Sequence, residues 1–224
     1  MKIKVIVFDL DDTLYDELDY VRSGLTHTAG VLAAKQGWDY AELRRALLAS
    51  LQVSRSHIFD RVLEQKGAHS QALVDFCVTT YRQHKPEIRL AHKVKELLKI
   101  LAISYPLYIV TDGHAGVQNN KLSVLGLSGS PVIRRCFATY ELGPEYAKPS
   151  PKCFQMIADA EQCRPSEIVY IADNPDKDFV GIKPLGFRTI RVMTGQHKGK
   201  YASAEFDGEM RASDLFAACN LLAR

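Results

Sequence analysis

This sequence has no apolar run long enough to cross a bilayer and no excess of either charge. Its 29 lysines and arginines are set against 26 aspartates and glutamates, a formal net charge of +3. So small and dispersed a charge excludes the basic footprint of a nucleic-acid partner, and no membrane span is expected. Cysteine is sparse and irregular. The five residues (Cys77, Cys136, Cys153, Cys163, Cys219) are odd in number and form no CxxC pair, which argues against a disulfide framework or a zinc site and for reduced thiols. Internal repeats and low-complexity tracts are missing. The first apolar run is cut by Asp9, Asp11 and Asp12, which is not the pattern of a signal peptide, so the expected compartment is the cytoplasm.

Against these absences stands one dense feature, Phe8-Asp9-Leu10-Asp11-Asp12-Thr13, at the end of the apolar run 3–8. A short continuous apolar run reads as a buried parallel strand, and open α/β sheets build ligand sites at the carboxyl ends of such strands. Alternation sends Asp9 and Asp11 to one side and Leu10 to the other, so the two carboxylates can share a ligand. Carboxylates this close repel, and a bound cation is the usual remedy.

The composition is that of an ordinary globular protein, 46% hydrophobic and 25% charged, and 224 residues suit a core domain with a sizeable insertion. From Asp16 to about Leu90 the pattern is helical throughout. Residues 16–37, 39–51, 54–67 and 70–84 carry apolar side chains at helical spacing, with Gly37 and Gly67 as stops. From Ala91 helices and strands alternate. Helices are expected at 94–103, 115–125, 151–161 and 213–222, the last capped by Ser213, and strands at 107–110, 136–138, 168–172 and 187–192. Such alternation implies a parallel sheet. The expected fold is α/β: a Rossmann-like parallel-sheet core, residues 1–15 and 90–224, interrupted by an all-helical cap, residues 16–89, placed to cover the carboxylates as a lid.

Three further polar clusters follow later strands or open helices. Thr111-Asp112-Gly113 offers a hydroxyl and backbone N–H groups at a strand-to-helix turn, which suits a phosphate oxygen and is also ordinary turn chemistry. Lys148 precedes Pro149-Ser150-Pro151, a stiff entry to the next helix. Asp173-Asn174-Pro175-Asp176-Lys177-Asp178 follows strand 168–172, and there Asp176 and Asp178 also suit the cap of a following helix. A parallel sheet brings all these clusters to one edge. A carboxylate-bound divalent cation, a hydroxyl, backbone donors and one ammonium complement a phosphoryl group in charge and geometry. Hard oxygen ligands without histidine or cysteine favour Mg²⁺ over zinc.

Taken in order, Asp9-Leu10-Asp11-Asp12-Thr13, Thr111, Lys148, and Asp173 with Asp178 make the chain resemble the haloacid-dehalogenase-like hydrolase superfamily over nearly its whole length. The helical stretch is similar to that superfamily's cap of the first kind. The resemblance implies Mg²⁺-dependent hydrolysis of a small phosphorylated metabolite, a sugar phosphate or nucleotide, through an aspartyl-phosphate. It implies Asp9 as the nucleophile and Asp11 as the acid and then the base. Thr111 and the N–H groups near Asp112 and Gly113 would hold a phosphoryl oxygen, and Lys148 would neutralise Asp9 and the phosphoryl group. The metal would take the Asp9 carboxylate, the Asp11 backbone carbonyl and Asp173, with Asp178 orienting Lys148 or a metal-bound water. Asp12 is expected to face away from the metal, and Asp112 and Asp176 to serve as turn residues.

Dehalogenases of the superfamily lack a carboxylate at the place of Asp11, so its presence argues for phosphate chemistry. Two alternatives stay open. A phosphomutase or phosphotransferase keeps both aspartates. A phospho-accepting signalling domain of the response-regulator type shares the aspartate, Thr and Lys-Pro, but is shorter and has no helical insertion or cluster like Asp173. Within the insertion, His57 and Arg61, four apart on the expected helix 54–67, are candidates with Arg22 and Arg55 to contact the alcohol part of a substrate.

Overall fold

The computed structural model describes residues 2–223. In chain order these form β1 (Val5–Phe8), α1 (Glu17–Gln36), α2 (Tyr40–Val53), α3 (Ile58–Gln65), α4 (Gln71–Gln83), α5 (His92–Ala102), β2 (Leu107–Thr111), α6 (Ala115–Val124), β3 (Arg135–Ala138), α7 (Thr139–Leu142), α8 (Lys152–Ala160), β4 (Ile168–Ala172), β5 (Arg188–Val192), β6 (Met210–Ala212) and α9 (Leu215–Asn220). Two compact units result: Met1–Glu17 with Arg89–Arg224, and Leu18–Ile88. Among the described residues no helix is long and apolar enough to cross a membrane.

The first unit is built on one sheet of order β3-β2-β1-β4-β5-β6, with every pairing parallel. Val5, Ile6, Val7 and Phe8 are all buried, and that explains the unbroken apolar run, since a sheet covered on both faces needs apolar side chains on each. Val5 and Val7 pack in one cluster with Tyr108, Val110 and Tyr170 of the neighbouring strands and with Cys153, Phe154, Ile157 and Ala158 of α8. From β1 the chain moves outward to β3 and then crosses to β4 on the other flank of β1. The order therefore reverses between β1 and β4, where parallel sheets open a crevice for ligands at the strands' carboxyl ends.

The second unit is a helical bundle with its own core. Val21, Leu25, Ala29 and Leu32 of α1 meet Leu43, Leu47 and Leu51 of α2, Ile58, Phe59, Val62 and Leu63 of α3, and Leu73, Val74 and Cys77 of α4. Spacings of three and four put each set on one face of its helix. Asp39 accepts from Glu42 N at 2.7 Å and Ser70 from Leu73 N at 3.3 Å, which caps α2 and α4, while Gly37 and Gly67 close helices with positive φ.

The structure corrects the sequence reading in several places. The third helix of the bundle starts at Ile58, not at residue 54, and His57 sits before it with φ 53°, so His57 and Arg61 do not share a helix face. Asp214 caps α9, accepting from Ala217 N at 2.8 Å, where Ser213 was expected to do so. The edge strand β6 and the one-turn helix α7 carry too few residues to show a period and were not anticipated.

Arg61 closes the turn after α2. Its guanidinium donates to Ser50 Oγ at 2.9 Å, Ser50 O at 3.0 Å and Ser54 O at 2.7 Å. A planar fork with several donors is needed for that set, and an ammonium cannot supply it. Replacing Arg61 by Ala is expected to lower stability by about 1–3 kcal/mol, with Arg61→Lys recovering only part. Thermal melting of the two variants checks this, and equal melting points for wild type and Arg61→Ala would refute it.

Candidate active site

The carboxyl ends of β1 and β4 converge on one buried ammonium. Asp9 follows β1, and its N–H donates to Ile171 O of β4 at 2.9 Å, which ties the two strand ends together. Lys148 Nζ donates to Asp9 Oδ1 at 2.8 Å, to Asp178 Oδ1 at 2.7 Å and to Tyr170 Oη at 2.9 Å. Its side chain is 1% exposed and that of Asp178 is 0% exposed. Asp178 Oδ2 accepts from Asn174 N at 2.9 Å, so both of its oxygens are engaged. Asp173 joins Asp9 and Asp178 in a buried group of carboxylates whose oxygens lie within 4.8 Å of one another. Gly181 permits this packing, because a Cβ there would stand 1.6 Å from Pro149 O in the segment that carries Lys148.

Electrostatics says what this group lacks. Burial pushes the Asp173 carboxyl up to about 9, reinforced by Asp9 and Asp178. Burial likewise raises Asp9, with Lys148 pulling the other way and Asp178 adding to the rise, to about 7. The same two aspartates raise Lys148 well above its ordinary value against the effect of burial. With all three carboxylates ionised, one ammonium would leave a deficit of two positive charges, the charge that a divalent cation carries. The donor set of hard oxygens fits Mg²⁺ better than zinc.

The end of β2 supplies a second arm. Thr111 is its last residue and is buried. Asp112 is more than the turn residue expected of it. Its Oδ1 accepts from Thr139 Oγ1 at 2.6 Å and Lys148 N at 3.1 Å, and its Oδ2 from Lys177 Nζ at 3.2 Å. Burial works to raise this carboxyl, but Lys148 and Lys177 outweigh it and hold it below the usual range. One side chain thus links the segments after β2, β3 and β4. Gly113 (φ 136°) lets Gln118 approach, since a Cβ there would meet Gln118 Nε2 at 2.7 Å. The other turn residue, Asp176, is exposed and pairs with Lys200, and no α-helix follows for it or Asp178 to cap.

Asp11 stands in a different setting. Its side chain is 17% exposed, and Oδ1 accepts from Lys121 Nζ at 2.7 Å and Tyr15 Oη at 2.6 Å. Burial and the Asp11 carboxylate beside it keep the Tyr15 hydroxyl protonated far above its ordinary value. Asp12 takes a left-handed backbone conformation (φ 55°), and its carboxylate accepts from Glu17 N at 2.9 Å and Gln196 N at 3.1 Å. Sequence reasoning missed Tyr15, Gln118, Lys121, Thr139, Tyr170 and Lys177. A signal for two of them exists in α6, where Gln118 and Lys121 fall on the buried face with Val117 and Leu122.

The family described as haloacid dehalogenase-like hydrolase matches residues 6–192. The chain belongs to that family. Glyceraldehyde 3-phosphate phosphatase of Methanocaldococcus jannaschii is 29% identical over 214 residues, covering 92% of this chain and 90% of that protein. N-acylneuraminate-9-phosphatase of Homo sapiens is 23% identical over 201 residues, 80% and 78% of the two chains. Among solved structures, the magnesium-bound HAD-hydrolase YfnB of Bacillus subtilis superposes with a TM-score of 0.69 at 18% identity over 100% of both chains. A 2-haloacid dehalogenase of Pseudomonas syringae does so with 0.66 at 23% identity over 99% of both. These structural likenesses show a shared fold.

The raised carboxyls of this hydrolase set the sign of a pH dependence. Unfolded, Asp9 and Asp173 lose their protons near 3.8, whereas folded they keep them to about 7 and about 9. The folded state binds more protons across that interval, so the metal-free protein is expected to lose stability as pH rises from about 4 through about 9. A Mg²⁺ ion held by these carboxyls would take them ionised and should therefore raise the melting temperature more at the upper end of the interval than at the lower. Melting curves with and without Mg²⁺ across the range check both statements, and a Mg²⁺ effect that shrinks with pH would contradict them.

Proposed function

We propose that this protein is a Mg²⁺-dependent phosphomonoesterase that acts on a small phosphorylated metabolite through an aspartyl-phosphate on Asp9. The observation that carries the reading is Lys148 held between Asp9 and Asp178 at the sheet's switch point, with Asp173 in the same carboxylate group. A carboxylate can approach a phosphoryl dianion only where positive charge offsets the repulsion, and Lys148 is already in place to do so. Asp9 and Asp173, with the Asp11 backbone carbonyl as a further donor, would hold Mg²⁺, which would supply electrostatic stabilisation of the charge on the transferring group.

The chain's own residues divide the reaction. Among the described residues Asp9 uses only Oδ1 toward Lys148, which leaves Oδ2 as the attacking oxygen. A bond forms from Oδ2 to phosphorus as the bond from phosphorus to the alcohol oxygen breaks, and Asp11 delivers a proton to the departing alkoxide. Water then attacks phosphorus, Asp11 takes its proton, and the bond to Asp9 breaks to give inorganic phosphate and the free carboxylate. Thr111 and the N–H groups of the turn at Asp112 and Gly113 hold phosphoryl oxygens, and Asp178 keeps Lys148 in line. The presence of Asp11 favours this reading over halide displacement. The helical unit is inserted in the chain directly after these carboxylates. The phosphatase relatives that act on glyceraldehyde 3-phosphate and N-acylneuraminate 9-phosphate place sugar and triose phosphates first among the substrates to test.

A panel of phosphomonoesters assayed for released phosphate, with Mg²⁺ and after chelation, tests the proposal. Turnover is expected only with Mg²⁺. Asp9→Asn should abolish it while leaving the protein folded, and Asp11→Asn should slow it by about 10²–10⁴-fold and leave a phosphoryl group on Asp9 detectable by mass spectrometry. Isomerised ester without free phosphate would assign a mutase instead. A substantial rate for Asp9→Asn would sink the aspartyl-phosphate route.

A further inference from the structure

Three donors converge on Asp11 from two segments of the chain. Lys121 of α6 places Nζ 2.7 Å from Asp11 Oδ1 and 3.6 Å from Glu17 Oε1, with its side chain 2% exposed. Tyr15 donates to the same Oδ1 at 2.6 Å, and its backbone forms a bridge pair with Asp11. Gln118, one turn before Lys121, donates from Nε2 to Asp11 Oδ2 at 3.0 Å and to Asp112 O at 2.8 Å. We propose that Lys121, Tyr15 and Gln118 are positioning residues that lock the Asp11 carboxylate in one orientation, with Oδ2 as the oxygen that exchanges protons with leaving group and water.

The proposal rests on reading Asp11 as the acid and base of a phosphatase, and it deepens that reading. A short side chain on a loop turns about two torsions, while proton transfer needs an oxygen held at hydrogen-bond distance from its partner. Two donors fill Oδ1, and the single donor on Oδ2 leaves that oxygen a lone pair. Packing alone does not account for Lys121. An ammonium is costly to bury, and a methionine fills the same space without that cost. Glu17 alone would supply a counter-ion, yet Lys121 lies closer to Asp11, and two neutral donors reach the same carboxylate. Through Gln118 the orientation of Asp11 is also coupled to the turn that holds phosphoryl oxygens, so acid and phosphate move as one piece.

Steady-state and burst kinetics with Mg²⁺ decide the matter, using glycerol 3-phosphate, whose alkoxide needs a proton to leave, and p-nitrophenyl phosphate, whose phenolate does not. Lys121→Met is expected to lower kcat on glycerol 3-phosphate by about 10–100-fold with KM little changed, part of what general acid catalysis supplies, and the burst on p-nitrophenyl phosphate only a few-fold. Lys121→Arg should recover part of the loss. In the Asp11→Asn background the same substitution should cost less than about 2-fold, because the group it positions is gone. Tyr15→Phe removes only one hydroxyl and should repeat the pattern at about 3–10-fold, which keeps the proposal open to refutation if Lys121→Met does not fold. Equal losses in both first steps, or a full loss from Lys121→Met on top of Asp11→Asn, would overturn it. Full activity of Asp11→Asn alone would instead overturn the role of Asp11 on which the proposal rests, a separate failure.

Discussion

The ion pair network of Lys148 with Asp9 and Asp178 is the constraint on which the rest of the site depends. Both partners lie within 2.8 Å of one ammonium that is 1% exposed. A buried pair adds little to net stability, because desolvation offsets most of the attraction, but removing one member leaves an uncompensated charge at a cost of about 3–5 kcal/mol. Such an arrangement persists for its chemistry. It holds Asp9, the proposed nucleophile, out of water where the order of the sheet reverses, and with its carboxylates ionised the group is short of two positive charges. The loops after β2, β3 and β4 bring Asp112, Lys148, Lys177 and Asp173 together around this pair.

Rigidity is the second consequence. Asp112 receives bonds from Thr139, from the backbone of Lys148 and from Lys177, so the segments that follow three different strands share one carboxylate. Gln118 extends the network to Asp11 through the Asp112 carbonyl. On the proposed reading a phosphoryl group would meet donors whose positions are set before it arrives, and preorganised donors stabilise developing charge without reorganisation at the moment of reaction.

Much of this was legible in the residues, and the parts that were not share a cause. The strands at Val5–Phe8, Leu107–Thr111 and Ile168–Ala172 are continuous apolar runs because both faces of the sheet are covered, and their polar endings mark one edge of it. Periodicity likewise marks the helices of the bundle. It gives nothing for β6, three residues with Arg211 at the centre, or for the start of α3, where His57 breaks the helix by its backbone conformation alone. The polar residues missed in the site, Tyr170, Thr139, Gln118 and Lys121, lie inside regular elements, or at the first turn of one, where sequence reads them as core or surface. Their roles are set by neighbours far along the chain, such as the 110 positions between Asp11 and Lys121. Asp112 was read as a turn residue because local chemistry explains it; only the fold brings Lys177 to it.

The two aspartates of one short motif end in different environments, and that contrast is the physical basis for the different tasks proposed for them. Asp9 is buried, its carboxyl raised by desolvation and restrained by Lys148, with one oxygen committed to that ammonium. A nucleophile needs that setting, because water around it would both screen Lys148 and compete for phosphorus. Asp11, only two residues later, is more open, and its oxygens are held by Lys121, Tyr15 and Gln118. An acid that must become a base within one turnover needs access to alcohol and water, together with an orientation that does not change when its proton leaves. Alternation along an extended backbone would direct Asp9 and Asp11 alike. What separates them is burial: Asp9 lies beside β4, bonded to Ile171, while Asp11 lies past the end of β1, within reach of Tyr15 and α6. The proposed division of labour therefore rests on how far each carboxylate stands beyond the sheet, more than on the motif that supplies them both.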